Sequence, residues 1–543
     1  MRKPLLYVLL SLSTTYVYCQ KTNIYISTFG LANSNKNLVG HYLHANKWGL
    51  ISELETSHLF LHTYLKQQII KTKRVELNIG AAALLKEDWQ ESFLHEAYIS
   101  GTAFSILNFS LGKEAFSPVS YNDTLSTGGF LYNSNARPLP RITIGFYDYV
   151  DIPFTNSLFQ IRGAISHGWL NDNRLESGHP KAADNVLLHE KWLYLQFGKY
   201  KVKPFVGIVH SSMIGGTRQD GSKEAVNYTA TFFAKGGSKG GRTETNAWGS
   251  HMGFWDFGLS TTINENSFLL YMQKPFYDGS GLNIWKGRNK DYKLGILANL
   301  NTEGLIKGFN LELIKTDYQC GEGIPDPIYP ENTLYKEFSE GNIIWDKDIN
   351  NDYDDFMHAV FPQAPNKTGW TKDEVWAYIR QETNNGHQYG GRDNYDNASN
   401  YHGWSYYETN IGYPLYLNTN QFSIYAPEAN IDHQAFINNN RVRGIHLGIN
   451  GQLIQEITYT LKATHTKNLG AYHEKYESRY SWELTPNYFF ATSKKQVYTY
   501  LDIKYTPSEK PKIELFTAIT FDFGELYHTF GAQFGVKYTP FSL

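Results

Sequence analysis

The stretch Gln496-Val-Tyr-Thr-Tyr-Leu-Asp-Ile-Lys-Tyr505 decides how the chain is read. In an extended chain successive side chains point to opposite faces. Val497, Thr499, Leu501, Ile503 and Tyr505 therefore share one face, and Gln496, Tyr498, Tyr500, Asp502 and Lys504 share the other. The same two-residue period runs through the neighbouring segments. Ile445, Leu447 and Ile449 alternate with His446, Gly448 and Asn450, and Ile457, Tyr459, Leu461 and Ala463 with Thr458, Thr460, Lys462 and Thr464. Ile513, Leu515, Ile519 and Phe521 alternate with Glu514, Ala518, Thr520 and Asp522, and Phe530, Phe534, Val536 and Tyr538 with Gly531, Gln533, Gly535 and Lys537.

Each segment has the length of a tilted strand that crosses a bilayer, roughly 9–11 residues. An apolar face with aromatic ends, opposite a polar or glycine face, is the outward and inward pattern of a membrane barrel. A soluble sandwich also alternates, and stays open as the competing reading. Glu456, Lys462, Asp502, Lys504, Glu514 and Asp522 on the polar face suit a hydrated lumen. Thr506-Pro-Ser508 and Asp522-Phe-Gly524 carry turn chemistry between strands.

Similar segments lie upstream at 56–66, 74–82, 93–112, 141–148, 157–168, 188–199, 203–213, 252–263, 265–275, 282–288, 291–300 and 305–315. The expected fold is all-β: a transmembrane antiparallel up-and-down barrel of about 16–18 strands, with eighteen favoured. Two stretches break the rhythm, about 215–249 and 319–440, and are expected to be long extracellular loops. The second holds a helix signal, a capping box at Thr371-Lys-Asp-Glu374 ahead of Val375 and Trp376. That small helix would fold over or into the barrel, or sit as a plug on the periplasmic side.

Composition supports this reading. Aromatic residues make up 15% of the 543 residues, which favours strands and membrane interfaces. Past the N-terminus no apolar run is long enough for a spanning helix. In lipid every backbone polar group needs an internal partner, so the remaining option is a closed sheet. A net charge of −2 gives no reason to expect a nucleic-acid partner. Arg2 and Lys3 ahead of the apolar run Leu5 to Leu12 read as a signal peptide over 1–19, with one barrel domain over 20–543. Cleavage after Cys19 is expected; lipidation of Cys19 is the alternative, set against the bulky Tyr16, Val17 and Tyr18. With Cys19 removed, Cys320 is the only cysteine, which excludes an internal disulfide and a thiolate metal cluster. These features place the protein in the outer membrane of a Gram-negative bacterium, in contact with its lipid.

Several passages carry a family resemblance when taken in order. They are His44-Ala-Asn-Lys-Trp-Gly-Leu50, Gly112-Lys-Glu114, Ser126-Thr-Gly-Gly129 with Asn135-Ala-Arg-Pro138, Leu188-His-Glu-Lys191, Asn246-Ala-Trp-Gly-Ser-His-Met-Gly253 with Asp256, and Asn440-Arg-Val-Arg443 with His446-Leu-Gly448. Together they resemble the Wzi-type capsule assembly family over nearly the whole mature chain. The resemblance implies an eighteen-stranded outer-membrane barrel with a helical element. It also implies a lectin-like, non-enzymatic role in attaching capsular or extracellular polysaccharide, and it implies no catalytic residue. Two other roles stay open: a transport pore, which expects an open lumen, and a structural subunit whose loops dock envelope protein partners.

Three groups of residues are candidates for function. Arg137 either grips an acidic sugar or lipid phosphate, or sits in the lumen paired with a carboxylate such as Glu114, since a buried Arg needs a partner. Asp346, Asp348, Asn350 and Asp352 space oxygen donors at alternate positions, as a Ca²⁺ loop does, although Asn351 stands where an EF-hand has Gly. A solvated acidic loop is the plainer reading. Trp345, Trp370, Trp376, Trp404, Tyr406 and Tyr407 form the candidate glycan surface, because sugar rings stack on aromatic faces. The same aromatics could instead form a loop core or an interface girdle.

Overall fold

The computed structural model describes residues 21–541 apart from the segments 236–247, 285–288, 322–352, 361–363, 382–391, 432–434 and 477–483 and short gaps at 36–37, 120, 278, 283, 372, 376, 379–380, 399 and 511. The signal-peptide region 1–19 lies outside the described residues.

Eighteen strands form one closed antiparallel sheet. In chain order they are β1 (Lys21–Asn33), β2 (Leu59–Lys71), β3 (Val75–Lys86), β4 (Phe93–Ala103), β5 (Leu107–Lys113) and β6 (Pro140–Asp151). Next come β7 (Phe159–Leu170), β8 (Val186–Phe197), β9 (Val202–Ile214), β10 (Ser250–Ile263), β11 (Asn266–Phe276) and β12 (Tyr292–Asn299). The last six are β13 (Gly308–Lys315), β14 (Val442–Ile454), β15 (Ile457–Asn468), β16 (Lys494–Tyr505), β17 (Ile513–Gly524) and β18 (Thr529–Phe541). Each strand pairs with its neighbours in sequence, and β1 pairs with β18 to close the ring. Closure leaves no sheet edge with unpaired backbone groups, as a bilayer requires.

The C-terminal alternation holds in three dimensions. Ile445, Leu447, Leu461, Phe521 and Phe534 are exposed on the outer wall, while His446, Lys462, Tyr498 and Asp522 are buried inside. Leu447→Asp therefore places a charge against lipid. It is expected to cost about 2 kcal/mol or more near the bilayer middle, read as a lowered urea midpoint in vesicles, whereas Leu447→Ala should lose much less. His446 is no neutral control, because its Nε2 bonds the Leu125 carbonyl at 2.6 Å and its Nδ1 bonds Thr464 Oγ1 at 2.7 Å.

The two rims differ. After even-numbered strands the chain turns within a few residues, as at 72–74, 104–106, 264–265 and 455–456. Asn264 and Glu265 both have positive φ, as a two-residue hairpin turn needs. After seven of the nine odd-numbered strands come the long connections 34–58, 114–139, 171–185, 215–249, 277–291, 316–441 and 469–493, and only 87–92 and 525–528 on that side are short. Short turns on one side and long loops on the other identify the periplasmic and extracellular rims.

Some segments differ from the sequence reading. β1 was not among the expected strands. Its large residues Phe29 and Leu31 point inward and are buried, while the outward-facing Thr28, Gly30 and Ala32 are small or polar, so the apolar signal is inverted. The expected segment 93–112 is a hairpin, broken at Phe104 and Ser105, both with positive φ. At 282–288 no strand forms at Leu282, which ends a short helix (Gly279–Leu282), and 283 and 285–288 lie outside the described residues. Asp522-Phe-Gly524 belongs to β17, and the turn follows it. The capping box does form: Thr371 N–H donates to Glu374 Oε2 at 2.9 Å, and Glu374 N–H to Thr371 Oγ1 at 3.4 Å.

Much of the inward polar face is covered by the chain itself. Three segments fold into the barrel and bond to its wall. The first, 34–58, carries helix α1 (His41–His44), with Leu38, Val39, Tyr42 and Leu43 buried. The His41 N–H donates to Asp522 Oδ2 at 2.7 Å, and Lys462 Nζ lies 4.6 Å from the Tyr42 ring centre. The second, 114–139, buries Leu125 and Phe130. Thr127 donates to Glu312 from its N–H at 2.9 Å and from its hydroxyl at 2.6 Å. Lys293 Nζ donates to the Gly128 carbonyl at 2.5 Å, and Tyr121 hydroxyl to Asp256 Oδ2 at 2.6 Å. The third, 393–418, buries Tyr395, Trp404, Tyr413 and Leu417 against the other two. Gly448 on the wall shows how close the approach is: a Cβ there would stand 2.2 Å from the Leu125 oxygen. The irregular sequence is thus spread over more than the two long loops, and much of it lies within the barrel.

Candidate functional site at the extracellular mouth

The Asn135-Ala-Arg-Pro138 turn sits at the extracellular rim, just before β6, where the three inward segments meet. Gly49 N–H donates to the Asn135 carbonyl at 3.1 Å, and Asn135 Nδ2 donates to the Asn410 carbonyl at 2.8 Å. These bonds hold one turn to both of the other segments. Each is a backbone group satisfied where water cannot serve it.

The turn aims Arg137 between two rings. Its guanidinium carbon lies 3.6 Å from the centre of Phe93, at the start of β4, and 4.5 Å from the centre of Tyr407. Arg is weakly hydrated and planar, so it stacks well on aromatic faces. Arg137 has no carboxylate partner among the described residues. Glu114 is engaged elsewhere, accepting from Ser100 Oγ at 3.1 Å and Ser110 Oγ at 2.6 Å. The expected Arg137–Glu114 pairing is therefore corrected: the rings, not a carboxylate, hold the guanidinium, and its donor edge is left accessible. Burial lowers the Arg137 pKa from its ordinary value, opposed by Tyr407, Tyr406, Glu91 and Glu55.

Tyr407 is fixed from behind. Its N–H donates to Asp172 Oδ2 at 2.9 Å, and Arg174 holds Asp172 through Nε at 2.7 Å and Nη2 at 3.0 Å. Arg174 Nη2 also donates to the Ser405 carbonyl at 2.9 Å. The Tyr407 ring stays 37% exposed, and Trp89 next to the β4 start is 70% exposed. The result is a rigid cation-on-aromatic platform open to the outside, with Glu91 nearby.

The aromatic cluster expected from the sequence does not form one surface. Trp404 and Tyr406 are fully buried and pack in the core of the inward segments, where no ring face is left for a sugar. Trp370 is half-buried, edge-on to Tyr378, with Lys367 4.8 Å from its ring centre. Trp345 and Trp376 lie outside the described residues, as do Asp346, Asp348, Asn350 and Asp352 of the expected Ca²⁺ loop. Among the described residues no group of three or more His, Cys, Asp or Glu is placed to hold a metal ion. Of the four described aromatics of this group, Tyr407 is the one that stacks on Arg137. Phe93 and Trp89 carried no sequence signal beyond their position at a strand start.

An eighteen-stranded closed barrel with an apolar outer wall, one short-turn rim and one long-loop rim is an outer-membrane protein of a Gram-negative bacterium. The sequence matches no known family profile and no curated protein. Among solved structures the chain is similar to Wzi of Escherichia coli, described as an outer-membrane protein involved in group 1 capsule assembly and a carbohydrate-binding β-barrel. The TM-score is 0.49 with 10% identity, covering 99% of this chain and 88% of that one. It is also similar to OccK5 (OpdH) of Pseudomonas aeruginosa, with TM-score 0.43 and 8% identity over 96% and 97% of the two chains. A third is OccAB2 of Acinetobacter baumannii, with TM-score 0.43 and 9% identity over 97% and 100%. The barrel assignment rests on the strand pairing and draws nothing from these likenesses.

Proposed function

We propose that the protein is a non-enzymatic, lectin-like outer-membrane barrel that associates with surface polysaccharide in capsule or exopolysaccharide assembly. The observation that carries the reading is Arg137, stacked between Phe93 and Tyr407 at the extracellular mouth with its donor edge accessible and no carboxylate partner among the described residues. An aromatic face takes the C–H side of a sugar ring, and a planar guanidinium takes a uronate or similar acid in two parallel bonds. The ordered motifs that resemble the Wzi-type capsule assembly family support the same role, and Arg137 stands within one of them. The filled lumen fits a protein that holds glycan rather than one that passes solute.

Arg137→Ala is expected to weaken binding to an acidic polysaccharide of the producing strain about 10- to 100-fold, since a charge-assisted hydrogen bond is worth roughly 1.5–3 kcal/mol. Arg137→Lys should not restore it, because an ammonium lacks the fork. Surface plasmon resonance on immobilised barrel reads both. In cells, loss of the protein is expected to reduce attached capsule, seen by polysaccharide staining; normal attached capsule would overturn the proposal. A steady large single-channel current would favour a transport pore instead.

A further inference from the structure

The outer wall holds a cation where lipid contact calls for apolar side chains. Residues paired directly across antiparallel strands face the same side of the sheet. One such row runs Ile144, Ile165, Lys191, His210, Gly253 and Phe276 across β6 to β11. Ile144 and Ile165 are about half exposed on the outer wall, as is Leu193, two residues along β8 from Lys191 and on the same face. Lys191 and His210 therefore point away from the lumen. A Lys on the lipid face of a barrel is costly, and more so toward the bilayer middle.

Two loops hang over this row from the extracellular rim. Helix α2 (Tyr228–Phe232) and the following Phe233 come from the connection 215–249, and Tyr277 and Leu282 come from 277–291. Between the overhang and the wall lies a groove of about 720 Å³, with mostly apolar walls. Its volume is that of a small-molecule site, and it continues into the lipid-facing wall.

The protein satisfies the polar groups of the groove only in part. Lys191 Nζ donates to the Phe232 carbonyl and lies 3.8 Å from the Phe232 ring centre, but no carboxylate pairs with it among the described residues. His251 Nε2 lies 2.8 Å from the Trp248 carbonyl and so carries the proton; its Nδ1 then accepts from His210 Nε2 at 3.0 Å. That chain of bonds leaves His210 Nδ1 as a buried lone pair with no partner, although His210 is more than nine-tenths buried. An orphaned buried acceptor beside an ammonium with no carboxylate partner asks for a ligand with an anion, a hydroxyl and an apolar body.

 The groove as a whole supplies the apolar walls, Lys191 the cation and His210 the acceptor.

We propose that this groove is a lateral binding site for one acylated lipid of the outer leaflet whose headgroup carries both a phosphate and a hydroxyl. An acyl chain lies between Phe233 and the outer wall at Ile165 and Leu193. The phosphate meets Lys191, which recovers part of the cost of placing a cation on that wall. A headgroup hydroxyl donates to His210 Nδ1. The site is on the opposite side of the wall from the inward segments and does not depend on the glycan reading.

The test uses the whole barrel in detergent micelles doped with dioleoyl phosphatidylglycerol, with dioleoyl phosphatidylcholine as the comparison, which has the same chains and no hydroxyl. Native mass spectrometry counts retained lipid. Wild type is expected to keep one phosphatidylglycerol and at least fivefold less phosphatidylcholine. Lys191→Ala should lower phosphatidylglycerol retention at least fivefold, and removing a wall cation does not threaten folding. Ile165→Trp should fill the groove and abolish retention of both lipids, while Leu447→Trp on another part of the wall should match wild type. Equal retention of the two lipids by wild type, or unchanged retention in Lys191→Ala, would overturn the proposal. So would a dimer that excludes lipid, since a second copy would then fill the groove.

Discussion

Glu312→Ala is expected to cost about 3–5 kcal/mol and to loosen the inward segment 114–139, because it leaves the charge of Lys293 buried without its carboxylate. Glu312 is fully buried on β13 and takes four contacts from three parts of the chain. Thr127 gives two bonds, Tyr271 hydroxyl a third at 2.6 Å, and Lys293 Nζ stands 3.7 Å away. Lys293 in turn donates to the Gly128 carbonyl, so the pair grips two consecutive residues of the segment. Removing the carboxylate orphans the Thr127 N–H and leaves the ammonium without a counter-charge, while the Thr127 hydroxyl keeps the Tyr413 hydroxyl at 2.8 Å. Two measurements read the effect: the urea midpoint of the barrel in vesicles, and single-channel current in a planar bilayer. The midpoint should fall, and brief current steps absent from wild type should appear as the segment lifts. Glu312→Gln keeps an acceptor for Thr127 and Tyr271 and should lie between. A variant as stable and as silent as wild type would mean that the wall does not pin the segment through this carboxylate.

How far such contacts could be read from the sequence depends on where each residue gets its energy. The strands were legible because their outward residues face lipid, and lipid demands an unbroken apolar period. β14 to β18 show that period in every second residue. β1 hides it, since its bulk faces the inward segments through Phe29 and Leu31. The inward segments themselves have no period at all. Their stability comes from bonds such as Thr127 to Glu312, 185 positions apart, and Tyr42 to Thr464, 422 apart. No local pattern announces such pairs.

The mouth site was half legible for the same reason. Arg137 stood out as a cation needing compensation, and a carboxylate was the natural partner to expect. Compensation by two ring faces leaves no charge signature, and Phe93 and Tyr407 are far apart along the chain. The aromatic run around Trp404 misled in the other direction. Aromatics suit glycan surfaces and packed cores alike, and the choice is made by burial: Trp404 lies under the mouth while Tyr407, three residues on, reaches its surface.

Stability is expected to fall as pH rises from about 4 to about 7, and Asp396→Asn is expected to abolish that part of the fall. Asp396 lies in the third inward segment, fully buried. Its Oδ2 accepts from Asn410 Nδ2 and from the Tyr413 N–H, both at 2.6 Å. Its Oδ1 has no partner, and Gly412 packs so close that a Cβ there would stand 2.2 Å from it. Burial pushes the carboxyl up from 3.8 to about 7, and the two hydrogen bonds only partly oppose this. The unfolded chain ionises near the ordinary value and the folded chain near 7. Below pH 3.8 both states hold the proton and the fold keeps its full contribution. Between the two values the unfolded state gives up its proton first, so stability declines with rising pH, and above about 7 the loss is complete. At about 1.4 kcal/mol per pKa unit the loss comes to about 4 kcal/mol. Asparagine keeps an oxygen for Asn410 and Tyr413 and carries no charge, so the variant should match wild type at pH 4 and exceed it by a few kcal/mol at pH 8. Urea midpoints of the two proteins across that range give the difference curve, in which the other titrating groups cancel. A flat difference would mean that Asp396 is compensated in the fold, and a difference that grows toward acid would reverse the sign argued here.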